Sequence, residues 1–221
     1  MGQARIVLVV KPFYNSGRIT IYHADCADVI PIVPPDTVDL LLTDPPYGIG
    51  LTIGLPGKMH GRTHNGGRSY APIVGDDRPF DPLPLLRYPQ VFLWGANHFA
   101  HVLPPGQWVV WRKRGASEFM AAAELAWHNL GRRSVDYFET TRNESRRRDG
   151  HIHPAQKPVS LMRWIIEKWT DPGDLIFDPY MGSGPIAQAC YELGRRYVGV
   201  EIVEEYCEAA ARRLNQQVMQ L

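Results

Sequence analysis

The sequence predicts an α/β domain built on a doubly wound, mostly parallel sheet of seven strands. Short apolar segments recur at residues 18–22, 38–43, 91–94, 108–111, 135–139, 175–177 and 197–202. Several are apolar almost without a break, the pattern of strands covered on both faces. Helical spacings of three and four lie between some of them, and strand alternating with helix argues for a parallel sheet flanked by helices.

In chain order, "RITIY" is the first strand and leads to Asp25 and Cys26. In "VDLLLTDPPYGIG", Val38 to Leu42 form a buried strand that Pro45 and Pro46 bring to an end, because neither has an amide hydrogen to give. Asp44 and Tyr47 are thereby held at a strand's carboxyl end, the edge where open α/β sheets bind ligands. "VFLW", "WVVW" and "VDYFE" continue the sheet. Leu161, Trp164, Ile165 and Trp169 make one helical stripe, punctuated by Ser160 and by Asp171-Pro172-Gly173-Asp174; Val203, Tyr206, Ala210 and Leu214 make another. Trp94, Asn97, Trp108, Trp111 and Trp127 are expected to pack the core or support loops. Residues 48–90 and 141–157 break the pattern, and a loop of ~40 residues is far longer than compact domains normally carry. The whole, 1–221, reads as one domain.

Composition narrows the function classes. The chain is 44% hydrophobic and 21% charged, ordinary for a globular protein. It has no apolar run near the ~18 residues of a membrane helix, so no span is expected. "RIVLVVK" is too short at its apolar centre for a signal peptide, and "MGQARI" lacks the hydroxyl residue of a myristoylation site. Cys26, Cys190 and Cys207 form no CxxC pair, which fits a reducing cytoplasm and argues against a metal site or disulfides. Without a secretory signal, Asn143-Glu144-Ser145 is expected to stay unmodified. The net charge of +1 conceals basic clusters: Lys58, Arg62 and Arg68; Arg112, Lys113 and Arg114; Arg142, Arg146, Arg147 and Arg148. Local clusters are what phosphate contacts require, although most charge runs are only solvated faces.

The stretch from Leu175 to Ile202 has the grammar of a nucleoside site. A strand ends in Asp178, a turn holds Gly182, Ser183 and Gly184, a helix follows, and the next strand ends in Glu201. Glycines admit close approach of a ligand to the backbone, and an acid at the following strand tip suits a ribose diol. The turn lacks the Gly-Lys-Ser/Thr of a P-loop, and "GSGPIA" has Ala187 where a dinucleotide fingerprint favours glycine. Asp178 would repel a pyrophosphate and attract a sulfonium, so electrostatics favours S-adenosylmethionine.

"TDPPYGIG", "FLWGANHFA", "WVVWRKRG", "AELAW", "HPAQKPVSLMRWIIEKWTDPGDLIFDPYMGSG" and "YVGVEI", in that order, closely resemble the beta-class DNA amino-methyltransferases, many of them bacterial or phage enzymes. The resemblance runs from about Lys11 to Leu214, and its most specific part is DPPY followed by HPxQKP leading into DPxxGSG. It implies a Rossmann-like, S-adenosylmethionine-dependent methyltransferase fold in circularly permuted order, catalytic motif first, in a cytoplasmic setting. By position, Asp178, Met181, Gly182, Ser183 and Gly184 match the loop around the cofactor's methionine portion, which Asp44 borders. Glu201, beside Ile202, matches the acid that binds the ribose, and Asp25 and Cys26 match the place that meets adenine. Gln156, Lys157 and Ser160 match the segment that closes over the methionine end, where the Lys157 ammonium suits a carboxylate. One departure is Pro185-Ile186, where the family usually has Thr-Thr.

The resemblance further implies that the Asp44 carboxylate and the Pro45 carbonyl accept the two hydrogens of a nucleobase amine. Pro46 stiffens that backbone, and Tyr47 stacks on the base, worth roughly 1–3 kcal/mol. The base must first be flipped out of the duplex. Double-stranded DNA is the implied partner, with the basic clusters and the segments 48–80 and 128–152 as candidate contacts; a homodimer is an expectation by analogy only. DPPY is commoner in the family's adenine-N6 enzymes, with cytosine N4 as the alternative. A catalytically weak DNA-binding module and a methyltransferase of RNA or protein stay open as other readings.

Overall fold

The computed structural model describes residues 10–50, 73–115, 121–131, 134–141 and 156–218. Among them is one sheet of nine strands, two more than expected. The strands are β1 (Tyr14–Asn15), β2 (Ile19–His23), β3 (Leu40–Thr43), β4 (Val91–Trp94), β5 (Gln107–Arg114), β6 (Ala123–His128), β7 (Val135–Thr141), β8 (Leu175–Asp178) and β9 (Arg196–Glu201). Across the sheet they lie in the order β1-β2-β9-β8-β3-β4-β6-β5-β7. From β2 to β4 in that order all run parallel, as do β5 and β7, while β1 opposes β2 and β6 opposes both β4 and β5.

The two additional strands escape a pattern search for different reasons. β1 has only two residues, too few to show any period. β6 opens with Ala123 and Glu124, types depleted in strands, and pairing overrides that preference: Trp127 sits opposite Leu93 on one side and Trp108 on the other.

Side chains on a strand alternate between faces, and the central strands bury both. Leu40, Leu42, Phe92, Trp94 and Ile176 pack on one face; Leu41, Val91, Leu93 and Phe177 pack on the other. The first face is covered by α2 (Val159–Trp169), α3 (Pro185–Glu192) and α4 (Glu204–Val218), through residues such as Leu161, Ile165, Ala187, Cys190, Cys207 and Leu214. The other is covered by the four-residue α1 (Cys26–Val29) and by short turns that bring in Leu85, Tyr88 and Phe99. Trp94, Trp111 and Trp127 are buried as expected, whereas Asn97 is exposed. No helix among the described residues is long and apolar enough to cross a membrane.

The chain leaves β8 through α3 towards β9 on one side of the sheet, and leaves β3 towards β4 on the other. The carboxyl ends of β8 and β3 therefore flank the topological switch point, where such sheets open a crevice. A buried hydrogen bond ties the two tips: Thr43 Oγ1 donates to Asp178 Oδ1 at 2.6 Å. Thr43→Val keeps the shape but leaves that acceptor one donor short in a dry site. A loss of about 1–3 kcal/mol is expected, measured by urea denaturation; an unchanged midpoint would show that the bond does not tie the strands.

Candidate active site

β3 delivers Thr43 to the switch point and the prolines stop it there, so Asp44 and Tyr47 stand on a short, stiff turn. Its far end is fixed by a residue that pattern reading passes over. Asp76, buried beneath the turn, accepts the successive amides of Tyr47, Gly48 and Ile49 at 3.0, 2.8 and 3.3 Å. Gly48 has φ +73°, and a Cβ there would come within 2.4 Å of the Arg78 carbonyl oxygen, so only glycine closes the turn without strain. Gly95, after β4, leaves room for the Tyr47 ring in the same way, since a Cβ would overlap it.

The Tyr47 ring stacks on His98, with centroids 5.1 Å apart and planes 15° from parallel, and its hydroxyl donates to Asp44 Oδ1. Within the protein, the ring expected to stack on a base rests on His98. The ring is already on the correct turn, but its inner face and its hydroxyl have partners.

Lys157 holds the other oxygen of Asp44. It precedes Pro158, which disfavours helix at the residue before it, and α2 starts only at Val159. The Lys157 side chain is 4% exposed, and Nζ lies 2.5 Å from Asp44 Oδ2, 3.1 Å from Tyr47 Oη and 3.0 Å from Glu124 Oε2. The faces of Trp94 and Tyr47 enclose it, their centroids 5.6 and 5.8 Å from Nζ. This ammonium is seated on two carboxylates of the protein, as a buried cation must be paired. Burial alone would favour the neutral amine, but Asp44 and Glu124 outweigh it and hold Lys157 charged. Burial pushes Asp44 above the usual carboxylate range while Lys157 pulls it back. Glu124 is opposed by burial too, yet Lys157 and Lys113 bring it down to about 2.

Of the residues expected around the cofactor, Asp178 is fully enclosed. Its carboxylate is fully buried and accepts from Thr43, from the Tyr197 hydroxyl at 2.9 Å and from the Tyr180 amide at 3.3 Å. Burial pushes it up to about 7; it pins strand tips and presents no charge to an open surface. Gly182 (φ +56°) faces open space, with nothing within 4 Å of where a Cβ would stand. Gly184 (φ +78°) caps α3 and lies against Ala210, and Pro185 takes the first helical position, where a missing amide costs nothing. Ser183 is buried and donates to Gln156 Oε1 at 3.0 Å, joining the segment before α2 to the glycine turn; Met181 is buried beside it and Ser160 is exposed.

Glu201, at the tip of β9, receives the Gly182 amide on Oε2 and the Val203 amide on Oε1, each at 2.8 Å. Burial raises its pKa against those bonds, and each oxygen has a second lone pair to offer. Ile202 is exposed beside it. Asp25 caps α1 by accepting the Ala27 amide at 2.8 Å. Cys26 lines a mostly apolar cavity of about 260 Å³ with Ile30, Asp81, Leu85 and Tyr180.

The basic residues are only partly in view. Lys58, Arg62, Arg68, Arg142, Arg146, Arg147 and Arg148 lie outside the described residues. Of the segment 48–80, residues 48–50 and 73–80 are described and lie in turns and bends; the segment 128–152 contains β7. Arg112 and Arg114 are exposed and pair with Glu139 of β7 at 3.4 and 3.2 Å. Lys113, between them, points the other way, onto Glu124. Alternation along the strand sends it inward, so it is a member of the buried ion cluster.

Known proteins are similar to this chain along most of its length. The profile of the N6/N4 DNA methylase family matches residues 93–212. A methylase of Escherichia coli named YubD, described as putative, is 27% identical, covering 87% of this chain and 88% of its own. The type II methyltransferase M.ScaI of Streptomyces caespitosus is 24% identical over 96% and 86%. Among solved structures, the PvuII cytosine-N4-specific DNA methyltransferase has a TM-score of 0.62 at 16% identity, covering 92% of this chain and 88% of that one. The M1.HpyAVI–SAM complex has 0.59 at 22%, covering 88% and 99%. At these identities the solved structures speak for the fold, a methyltransferase sheet.

Lys157→Met would leave Asp44 and Glu124 facing each other without their shared cation. Breaking a buried pair in this way is expected to cost about 3–5 kcal/mol. The deficit should shrink in acid, where the two carboxyls protonate, so melting curves at neutral and low pH test it. A variant as stable as the parent at neutral pH would disprove the pairing.

Proposed function

Because the chain belongs to the N6/N4 DNA methylase family, and so is a DNA methyltransferase, we propose that its acceptor is the N6 amine of an adenine flipped out of duplex DNA. The observation that carries this reading is the position of Asp44 at the tip of β3, beside the glycine turn that follows the neighbouring strand β8 across the switch point.

An aromatic amine is a poor nucleophile because its lone pair is delocalised into the ring. Asp44 and the Pro45 carbonyl, both on the stiff turn, can accept its two hydrogens and draw the nitrogen towards a tetrahedral shape. As the nitrogen gains positive charge, the Asp44 carboxylate stabilises it, so positioning and electrostatics do the catalysis and no prior deprotonation is needed. Lys157 favours the ionised form of Asp44 and so opposes the effect of burial, and Tyr47 occupies one Asp44 oxygen until the base replaces it. The swap releases the tyrosine ring to stack on the incoming base.

The residues fit S-adenosylmethionine. Glu201 has free lone pairs for a ribose diol, the space over Gly182 is open, and the cavity at Cys26 is apolar enough for a purine. When bound, the cofactor supplies an electrophilic methyl group on sulfonium. Arg112 and Arg114, with the basic segments 57–70 and 142–148, supply cations for phosphates. The choice of adenine over cytosine rests on the DPPY tetrad.

Asp44→Ala should lower methyl transfer to DNA by at least ~100-fold, while cofactor affinity measured by calorimetry changes by less than about threefold. Turnover retained in that variant refutes the role of Asp44. Mass spectrometry of nucleosides from treated DNA should find N6-methyladenine; N4-methylcytosine in its place would refute the choice of base.

A further inference from the structure

The Lys157 ammonium belongs to a line of alternating charges that extends beyond the site. Asp44 and Glu124 claim it at 2.5 and 3.0 Å, and the second oxygen of Glu124 takes the ammonium of Lys113. Each member comes from a different element: the turn after β3, the segment before α2, β6 and β5. Glu124 has no hydrogen bond to the DPPY turn; it is linked to Asp44 through the shared Lys157 and by charge repulsion across it.

Resting on the reading of Asp44 as the acceptor of the amine hydrogens, we infer that Glu124 is a positioning residue for methyl transfer, which shares Lys157 and so preserves the negative potential of Asp44. A lysine paired with Asp44 alone would neutralise the charge that must meet a nitrogen turning cationic. With Glu124 on its other side, Lys157 anchors Asp44 without cancelling it. When the base amine replaces Tyr47 on one Asp44 oxygen, Lys157 stays on the other, with Glu124 as its second carboxylate in a dry site. Lys113 governs how much of the Glu124 charge reaches inward. The ionisable groups facing Asp44 are Lys157, Glu124 and Tyr47, with Asp178 on the neighbouring strand.

Three variants test the inference, each followed by kcat and KM between about pH 5 and 9. Glu124→Gln removes a negative charge near Asp44, so the acid limb of kcat moves to lower pH. Its plateau kcat falls by about tenfold or more, with KM for DNA and cofactor nearly unchanged. Glu124→Asp keeps the charge and recovers most of kcat, with the limb in place. Lys113→Gln frees more of the Glu124 charge and moves the limb to higher pH; lying nearer solvent, it serves if Glu124→Gln does not fold. The ¹³C titration of the Asp44 carboxyl reports the same shifts without turnover. If the parent transfers no methyl group, the proposed function falls while the titration still tests Glu124. An unmoved limb and titration in Glu124→Gln, or equal losses in the Gln and Asp variants, overturns the inference.

Discussion

A single buried cation organises the candidate active site of this protein. Lys157 is almost wholly enclosed, and an enclosed ammonium is tolerable only when carboxylates meet it. Asp44 and Glu124 do so from β3 and β6, strands that only β4 separates in the sheet, so the DPPY turn, β6 and the segment before α2 are bound to one another by one charge. The aromatic faces of Trp94 and Tyr47 close the remaining sides. Tyr47 is drawn into the same knot through Asp44, and this explains why its ring rests on His98 with its hydroxyl engaged.

The two halves of the site are set by different physics. The half around Asp44 is governed by ion pairing and by a turn whose amides converge on Asp76. The half around the glycine turn is governed by backbone geometry: positive φ at Gly182 and Gly184, helix initiation at Pro185, and a carboxylate at Glu201 that steadies the turn while keeping lone pairs to spare. The Thr43–Asp178 bond couples them. Asp178 also joins the strand tips, through Thr43, the Tyr197 hydroxyl and the Tyr180 amide.

Much of this was legible in the sequence. The continuous apolar runs of β3, β4 and β8 announced strands buried on both faces, and the double proline and the paired glycines announced where two of them stop. The strands that were missed lack such signals: β1 is too short, and β6 begins with Ala123 and Glu124, whose preferences point away from a sheet. Lys113 looked like one of three clustered cations, and only the alternation of side chains along β5 reveals that it turns inward while Arg112 and Arg114 stay outside. Asp76 belongs to no quoted motif, and Glu124 sits in the AELAW segment without a role that the segment itself announces; the importance of both comes from partners far away in the chain.

The reversed direction of β6 has a broader consequence. In a parallel sheet, functional side chains gather where strands finish, and a reader of sequences learns to look there. A strand that runs backwards brings its opening residues to that same rim, which is how Glu124, near the start of β6, comes to lie beside residues at the ends of β3 and β5. Surveys for hidden acids in folds of this kind should therefore inspect the beginnings of lone reversed strands as carefully as the terminations of the others.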